Sequence, residues 1–368
     1  MFNLNKKKFS KIDIWLLISV IGLVIFGLVM LYSATSNLNK NYMLPQIAST
    51  VLGFIVIVFL MFMDIDFLKK IYIPIYIISI ISLIIVLLIG VGLDDWGAKS
   101  WIKLGPISFQ PSEFTKIGIL IFLARYIEIH YKDINKPKVL LKILFFAFLP
   151  VVLILRQPDA GTAMVYMFFI GVMLFSAGLD LRYIAGVLIT GLVSLPFLYM
   201  RLDEFQKNRI LNFIYPERDI SNTGLQAYQG KIAIGSGKFD GRGFMNGIQS
   251  RLNYIPEKQT DYIYAVIVEE LGFLGGLSVI GLYGMMLYRF IEISRKKKDV
   301  FSSLIIIGYT AIFLFHAFEN IGMTLGVMPI TGIPLPFFSY GGTFQLSNLM
   351  AIGLILSICV QKEPLDFM

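Results

Sequence analysis

Charge is scarce in this sequence. Of its 368 residues, 15% are Asp, Glu, Lys or Arg and 57% are hydrophobic, whereas a soluble domain carries about 25% charged residues. So few charges cannot cover a water-facing surface, which excludes a soluble globular protein and makes lipid the solvent. Cysteine is nearly absent: Cys359 stands alone, so no intramolecular disulfide forms. The only histidines, His130 and His316, are far apart, which argues against a zinc site of the usual nitrogen and sulfur ligands. Hard-cation sites built from carboxylates stay open. There is no P-loop, no GxGxxG opening a helix and no Ser/His/Asp order, so nucleotide hydrolysis and acyl transfer lack support. No internal repeat is evident, which weakens an inverted-repeat transporter.

What the sequence has is long apolar runs. A bilayer core needs roughly 20 apolar residues per helix. Candidate spans are Ile14–Ser33, Gln46–Met63, Ile71–Val91, Phe114–Ile129, Val139–Leu155, Thr162–Ala177, Tyr183–Met200, Tyr262–Phe290, Phe301–Met323 and Phe344–Val360. The expected fold is all-α integral membrane, a single polytopic domain over 1–368 with about ten transmembrane helices. The first run, Ile14 to Leu31, is longer than the roughly 7–15 residues of a signal-peptide core and reads as an uncleaved helix. The fourth span carries Lys116, Arg125 and Glu128, with an apolar stripe on one face and a polar face opposite.

Lys and Arg in short loops set the orientation. Lys6, Lys7, Lys8, Lys11, Lys69, Lys70, Lys132, Lys136, Lys138, Arg182, the run Arg295-Lys296-Lys297-Lys298 and Lys362 fall on one side. The opposite short loops hold only Lys40, Lys99, Lys103 and Arg156. Both termini are therefore expected in the cytoplasm, and residues 201–260 form one long outer loop between helices seven and eight. The net charge of +8 is spread over these loops and not over one domain face. It points to anionic lipid or a lipid-linked anion, and not to nucleic acid.

With this topology every even-numbered helix starts outside, and four polar motifs cluster at those starts. They are Gln110-Pro111-Ser112-Glu113, Gln157-Pro158-Asp159, Pro256-Glu257-Lys258-Gln259-Thr260-Asp261, and Pro334 through Gly342 with Ser339 inside it. Ser112, Asp159 and Asp261 are also ordinary N-cap types. Lys116, expected in the first turn of the fourth span, shares a face with Glu113 and serves either an anion or an ion pair. Asp261 opens the longest apolar run, where the helix dipole favours the carboxylate and partial burial opposes it. Such opposed effects suit a general base. Glu269, Glu270, Glu319 and Asn320 lie deeper. Intramembrane carboxylates are candidate functional groups, while Glu319 also reads as a packing group paired with His316. In the long loop Arg209, Lys231, Lys238, Arg242, Arg251 and Lys258 are cations that a pyrophosphate would attract.

Taken together these motifs resemble the SEDS family (shape, elongation, division and sporulation) over nearly the whole chain. The resemblance rests on Phe109 to Glu113 with Lys116, Gln157-Pro158-Asp159 with Gly161-Thr162, and Pro256-Glu257 with Thr260-Asp261. It continues in Glu269 to Gly275, and in Pro329 with Thr331 to Pro336 and Ser339 to Gly342. Residues 243–253 look more like the elongation branch, RodA, than the division branch, FtsW. The resemblance implies a peptidoglycan glycosyltransferase of the bacterial cytoplasmic membrane, with its active site facing outside. It would polymerise lipid II with inversion and release undecaprenyl pyrophosphate. It further implies Asp261 as the base and Lys116 with a divalent cation, Mg2+ or Mn2+, at the leaving group. Glu113 and Asp159 would shape the site, with Glu113 and Asp261 as candidate metal ligands and Gln110, Lys99, Arg209, Arg251 and Ser339 as substrate contacts. Implied partners are a class B penicillin-binding transpeptidase and other elongation-complex membrane proteins. Three positions depart from the family pattern: Ser100 precedes Trp101 where relatives carry Arg, Pro45 replaces a basic residue, and Gln259 replaces a His. A lipid II flippase and a silent scaffold are the alternatives. Motifs gathered on one side favour surface chemistry over transport, and an intact Asp261 and Glu113 speak against a scaffold.

Overall fold

A computed structural model describes residues 13–92, 98–105, 107–201, 207, 211, 213–215 and 224–361. Lipid offers the backbone no hydrogen-bond partner, so apolar runs of this length fold as helices. The chain opens with α1 (Ile14–Thr35), α2 (Met43–Met61), a short α3 (Ile65–Lys70) and α4 (Tyr72–Ile89). A hairpin follows, β1 (Ile102–Leu104) antiparallel to β2 (Ile107–Phe109), with Ile102 opposite Phe109. Next come α5 (Pro111–Ile129), α6 (Pro137–Leu155), α7 (Ala160–Ser176) and α8 (Leu181–Arg201). Residues 201–260 are not one open loop, because α9 (Leu225–Gly237) and α10 (Ile248–Arg251) form within them. The long α11 (Ile263–Lys296), α12 (Val300–Leu325) and α13 (Gly342–Val360) complete the bundle.

Each of the ten expected spans falls on a helix: α1, α2, α4 to α8 and α11 to α13. Among the described residues, seven helices are long and apolar enough to cross a membrane, namely α1, α2, α4, α6, α11, α12 and α13. The protein is thus a multi-pass membrane protein. Helix α5 misses that standard because Glu113, Lys116, Arg125 and Glu128 lie on it, and α7 is shorter. Residues 1–12 and 362–368, which carry the terminal lysines used for orientation, lie outside the described residues, as does Arg209.

The centre of the bundle is α5, α12 and α13. The fourth span was expected to show one apolar and one polar face, but α5 is buried almost continuously from Pro111 to Ala124, charges included. It also begins at Pro111, three residues before the expected start, because Pro suits the first helical position. Lys116 therefore sits in the second turn, where the helix dipole acts little on it, and Glu113 occupies the first. Helix α13 runs along α2, and α11 lies between α1 and α12.

Helix α11 was expected to run unbroken. It breaks at Gly272, whose φ of 67° and ψ of −164° are open only to glycine. Residues 238–243 enter the break. Arg242 and Gly243 N–H donate to the carbonyls of Glu269 and Glu270 at 3.0 and 2.9 Å. Phe273 N–H donates to Lys238 O at 2.9 Å. The groups freed by the break thus regain partners, as lipid-embedded backbone requires.

Small residues let backbones touch where the bundle is tightest. A Cβ on Gly27 of α1 would stand 2.1 Å from Phe337 O, so α1 rests directly on the chain between α12 and α13. Gly27→Ala is expected to lower the thermal unfolding temperature in detergent by an overpacking cost of about 1–3 kcal/mol. Gly281→Ala, where a Cβ meets nothing within 4 Å, is expected to leave that temperature unchanged or slightly raised. Equal shifts for the two would contradict the direct backbone contact.

Candidate active site

The segment joining α12 to α13 contains Pro329, Pro334 and Pro336, so it cannot form a helix, and three N–H donors are missing from it. Much of it is buried: Ile333, Leu335, Phe337, Phe338 and Ser339 are each at most 3% exposed. Irregular backbone in such a place needs side-chain partners, and it has them. Asn320 Nδ2 donates to Ile333 O at 2.8 Å, and a His316 ring nitrogen bonds Pro334 O at 3.1 Å. Tyr283 Oη donates to Pro336 O. Gln46 receives Gly341 N–H at 3.0 Å and donates to Ser339 O at 3.4 Å. Three helices thereby grip one strap.

The strap in turn holds Asp261. Asn320 Nδ2 also donates to Asp261 O at 2.9 Å, Ser339 Oγ donates to Thr260 O at 2.5 Å, and Tyr340 N–H donates to Gln259 O at 2.8 Å. Asp261 N–H and Tyr262 N–H both donate to Glu257 O, closing the turn that precedes α11. The N-cap of α11 is Tyr262 and not Asp261. It is half-buried, and a Cβ on Gly332 would stand 3.5 Å from its Oδ2. Gly332 has a φ of 75°, a left-handed conformation that favours glycine.

Glu113 and Lys116 form a buried ion pair, Nζ to Oε2 at 2.8 Å. Ser347 of α13 donates to the same carboxylate at 3.3 Å. Lys116 Nζ lies 3.2 Å from His316 Nε2. The tautomer follows: Pro334 O only accepts, so His316 Nδ1 carries the proton and Nε2 receives the lysine N–H. The pairing of His316 with Glu319, expected from their spacing, does not occur. Glu319 accepts instead from Thr331 Oγ1 at 3.0 Å, because α12 turns His316 toward α5 and Glu319 toward the strap.

Asp159 is the N-cap of α7, accepting from Thr162 N–H at 3.0 Å and Thr162 Oγ1 at 2.9 Å. Desolvation pushes its carboxyl above the usual range, the Thr162 bonds oppose this, and Glu113 adds repulsion. Asp159 is thus close to the α5 pair. Gly161 brings the start of α7 against Thr331 O, where a Cβ would stand at 3.0 Å.

Other expected contacts lie elsewhere or are committed. Lys99 Nζ caps α4 through Leu87 O and Leu88 O at 2.9 and 3.2 Å. Gln110 is the N-cap of α5 and makes no side-chain cap bond. Ser339 is buried and spent on the strap. Arg251 is exposed at the end of α10, where Asn37 meets its carbonyl at 3.1 Å, and no bond joins it to the strap. Glu269 accepts from Gln249 and Ser250 N–H at 2.7 and 3.1 Å. Glu270 accepts from Ser33 Oγ at 2.6 Å and Met245 N–H at 3.1 Å. These two carboxylates anchor the segment from Met245 to Ser250. Gln46 and Tyr283 were missed by sequence reasoning. A glutamine opening an apolar helix was a usable signal, whereas a tyrosine inside α11 was none.

Among the described residues no three His, Cys, Asp or Glu side chains gather as a metal cage. Glu113 is occupied by Lys116, so it does not fit the ligand role expected of it. The half-exposed Asp261 fits an ion that shares its ligands with a substrate phosphate, the usual habit of Mg2+.

The family described as "Cell cycle protein", covering FtsW, RodA and SpoVE, matches residues 13–363. The chain is 34% identical to the probable peptidoglycan glycosyltransferase FtsW of Trichlorobacter lovleyi, over 97% of this chain and 96% of the relative. It is 32% identical to the peptidoglycan glycosyltransferase MrdB of Escherichia coli K12, over 99% and 98%. It is similar to a chain from a solved structure described as structural coordination of polymerization and crosslinking by a peptidoglycan synthase complex. That match has a TM-score of 0.83 at 30% identity and covers 95% of this chain and 97% of the other. The rod shape determining protein RodA of Thermus thermophilus matches with a TM-score of 0.71 at 28% identity, over 95% and 96%.

Breaking a buried pair by removing one partner costs about 3–5 kcal/mol, because the other charge is stranded. Glu113→Gln is expected to lose that much stability in detergent unfolding. The double variant Glu113→Gln with Lys116→Met is expected to recover a substantial part of it. A double variant no more stable than the single would show that the pair is not the source of the loss.

Proposed function

The chain belongs to the family of FtsW, RodA and SpoVE, and from that premise we infer that it is a peptidoglycan glycosyltransferase that polymerises lipid II, with Asp261 as its base. One observation carries the reading. Asp261 is a half-exposed carboxylate on a turn held by Asn320 and by the strap, with Gly332 beside its Oδ2.

The chemistry asks for one carboxylate. The acceptor sugar 4-hydroxyl attacks the donor anomeric carbon as the carbon–oxygen bond to pyrophosphate breaks, and the hydroxyl proton passes to Asp261. One displacement turns the α-linkage of the donor into a β-linkage. A glycosidase needs a second carboxyl to protonate its leaving group. Pyrophosphate leaves as a stable anion, so it needs positive charge instead of a proton. A divalent cation, Mg2+ or Mn2+, with Asp261 as its candidate protein ligand, would supply that charge. Lys116 contributes through its field, since its ammonium is bonded to Glu113 and His316. Asp159 and Glu113 shape the wall beside it.

The lysine-rich loops support an outward-facing site in a bacterial cytoplasmic membrane with both termini inside. The likeness to a synthase complex that couples polymerization and crosslinking supports a class B penicillin-binding transpeptidase as partner. Residues 243–253 support the elongation branch, and with it a place among elongation-complex membrane proteins. The carboxylates that would line a flippase route, Glu270 and Glu319, are held by Ser33, Met245 and Thr331, which favours the polymerase.

Purified protein with its transpeptidase partner is expected to build glycan from lipid II in the presence of Mg2+ or Mn2+, and to stop on chelation. Asp261→Asn and Asp261→Ala, both folded, are expected to lose about 10²–10⁴-fold in rate, the usual worth of a general base. Undiminished polymer from either variant would remove Asp261 from the mechanism. Undiminished polymer after chelation would remove the cation.

A further inference from the structure

Beside the Glu113–Lys116 pair, α5, α12 and α13 enclose a small cavity lined by Glu113, Lys116, Tyr309, Ser347 and Asn348, with Ala351 at its edge. Its volume of about 10 Å3 is close to the least that holds one water molecule. Two of its polar groups have no hydrogen-bond partner in the protein among the described residues. They are Tyr309 Oη and Asn348 Nδ2, on residues 2% and 5% exposed. Lys116 adds a third demand. Its ammonium carries three N–H donors, of which Glu113 and His316 take two.

A dry cavity of this kind would strand a phenol and an amide beside a buried ammonium, each at a cost in stability. Apolar cavities stay empty, whereas roomy polar ones with two to four partners hold water. A metal cation is a poor occupant, because the lysine ammonium already faces the space.

We propose that this cavity is a binding site for one ordered water molecule, bridging Tyr309, Asn348 and Lys116. The water accepts from Asn348 Nδ2–H and Lys116 Nζ–H and donates to Tyr309 Oη, leaving one proton for the Glu113 carboxylate. It hydrogen-bonds the buried ion pair beside the two side chains that the protein leaves unpartnered. The inference stands apart from the glycosyltransferase reading, since its test reads stability and not polymer.

The sign of a stability change decides it. Tyr309→Phe removes one oxygen and changes the packing little. With a bridging water, the variant loses a hydrogen bond, and the thermal unfolding temperature in detergent is expected to fall by about 2 °C or more. In a dry cavity the same change removes a stranded group, and the temperature holds or rises. Ala351→Val fills the same space. It is expected to lower the unfolding temperature by displacing the water, whereas filling a dry cavity would raise it. A rise or no change in both variants overturns the proposal.

Discussion

Backbone that lipid cannot hydrogen-bond must find its partners within the protein, and that constraint governs the strap between α12 and α13. Its prolines forbid a helix, so its carbonyls and N–H groups reach outward to Gln46, Tyr283, His316 and Asn320. Those residues sit on α2, α11 and α12, and α1 presses on the strap through Gly27. Once the strap is fixed, so is the turn it grips, and Asp261 is on that turn. The backbone of Asp261, the proposed base, is thus held through Asn320 and through the neighbouring Thr260 and Gln259.

The Glu113–Lys116 pair extends the same frame into the bundle. A buried pair adds little net stability, because both charges are desolvated. Its value here is directional. Lysine fixes the histidine tautomer, and the histidine fixes Pro334 O, so α5 and the strap share one hydrogen-bonded line. Ser347 attaches α13 to the same point.

Much of this was legible in the sequence. The apolar runs announce their helices because length and hydropathy are local properties. The Glu113–Lys116 pair follows from helical spacing, and the four polar motifs do meet, through Asp159, Asp261, Ser339 and the α5 pair. What failed depends on which neighbours surround a helix. Spacing put His316 and Glu319 on one face, yet α5 claims the first and Thr331 the second. The break at Gly272 requires residues 238–243 to enter it, and a glycine in an apolar run does not disclose that partner. The resemblance implied Lys99 and Arg251 as substrate contacts, but a family pattern does not disclose reach, and Lys99 Nζ caps α4.

In the proposed mechanism, the line from Lys116 through His316 to Pro334 braces the strap that grips the Asp261 turn. The most direct measurement is the rate of lipid II polymerisation by His316→Phe and His316→Gln, with lipid II binding measured alongside. Glutamine keeps a donor and an acceptor, whereas phenylalanine has neither. A misplacement of about 1 Å costs on the order of 10²-fold in rate. His316→Phe is expected to show that loss at unchanged lipid II affinity, and His316→Gln to retain most of the rate. A phenylalanine variant that polymerises as fast as the natural protein would contradict it.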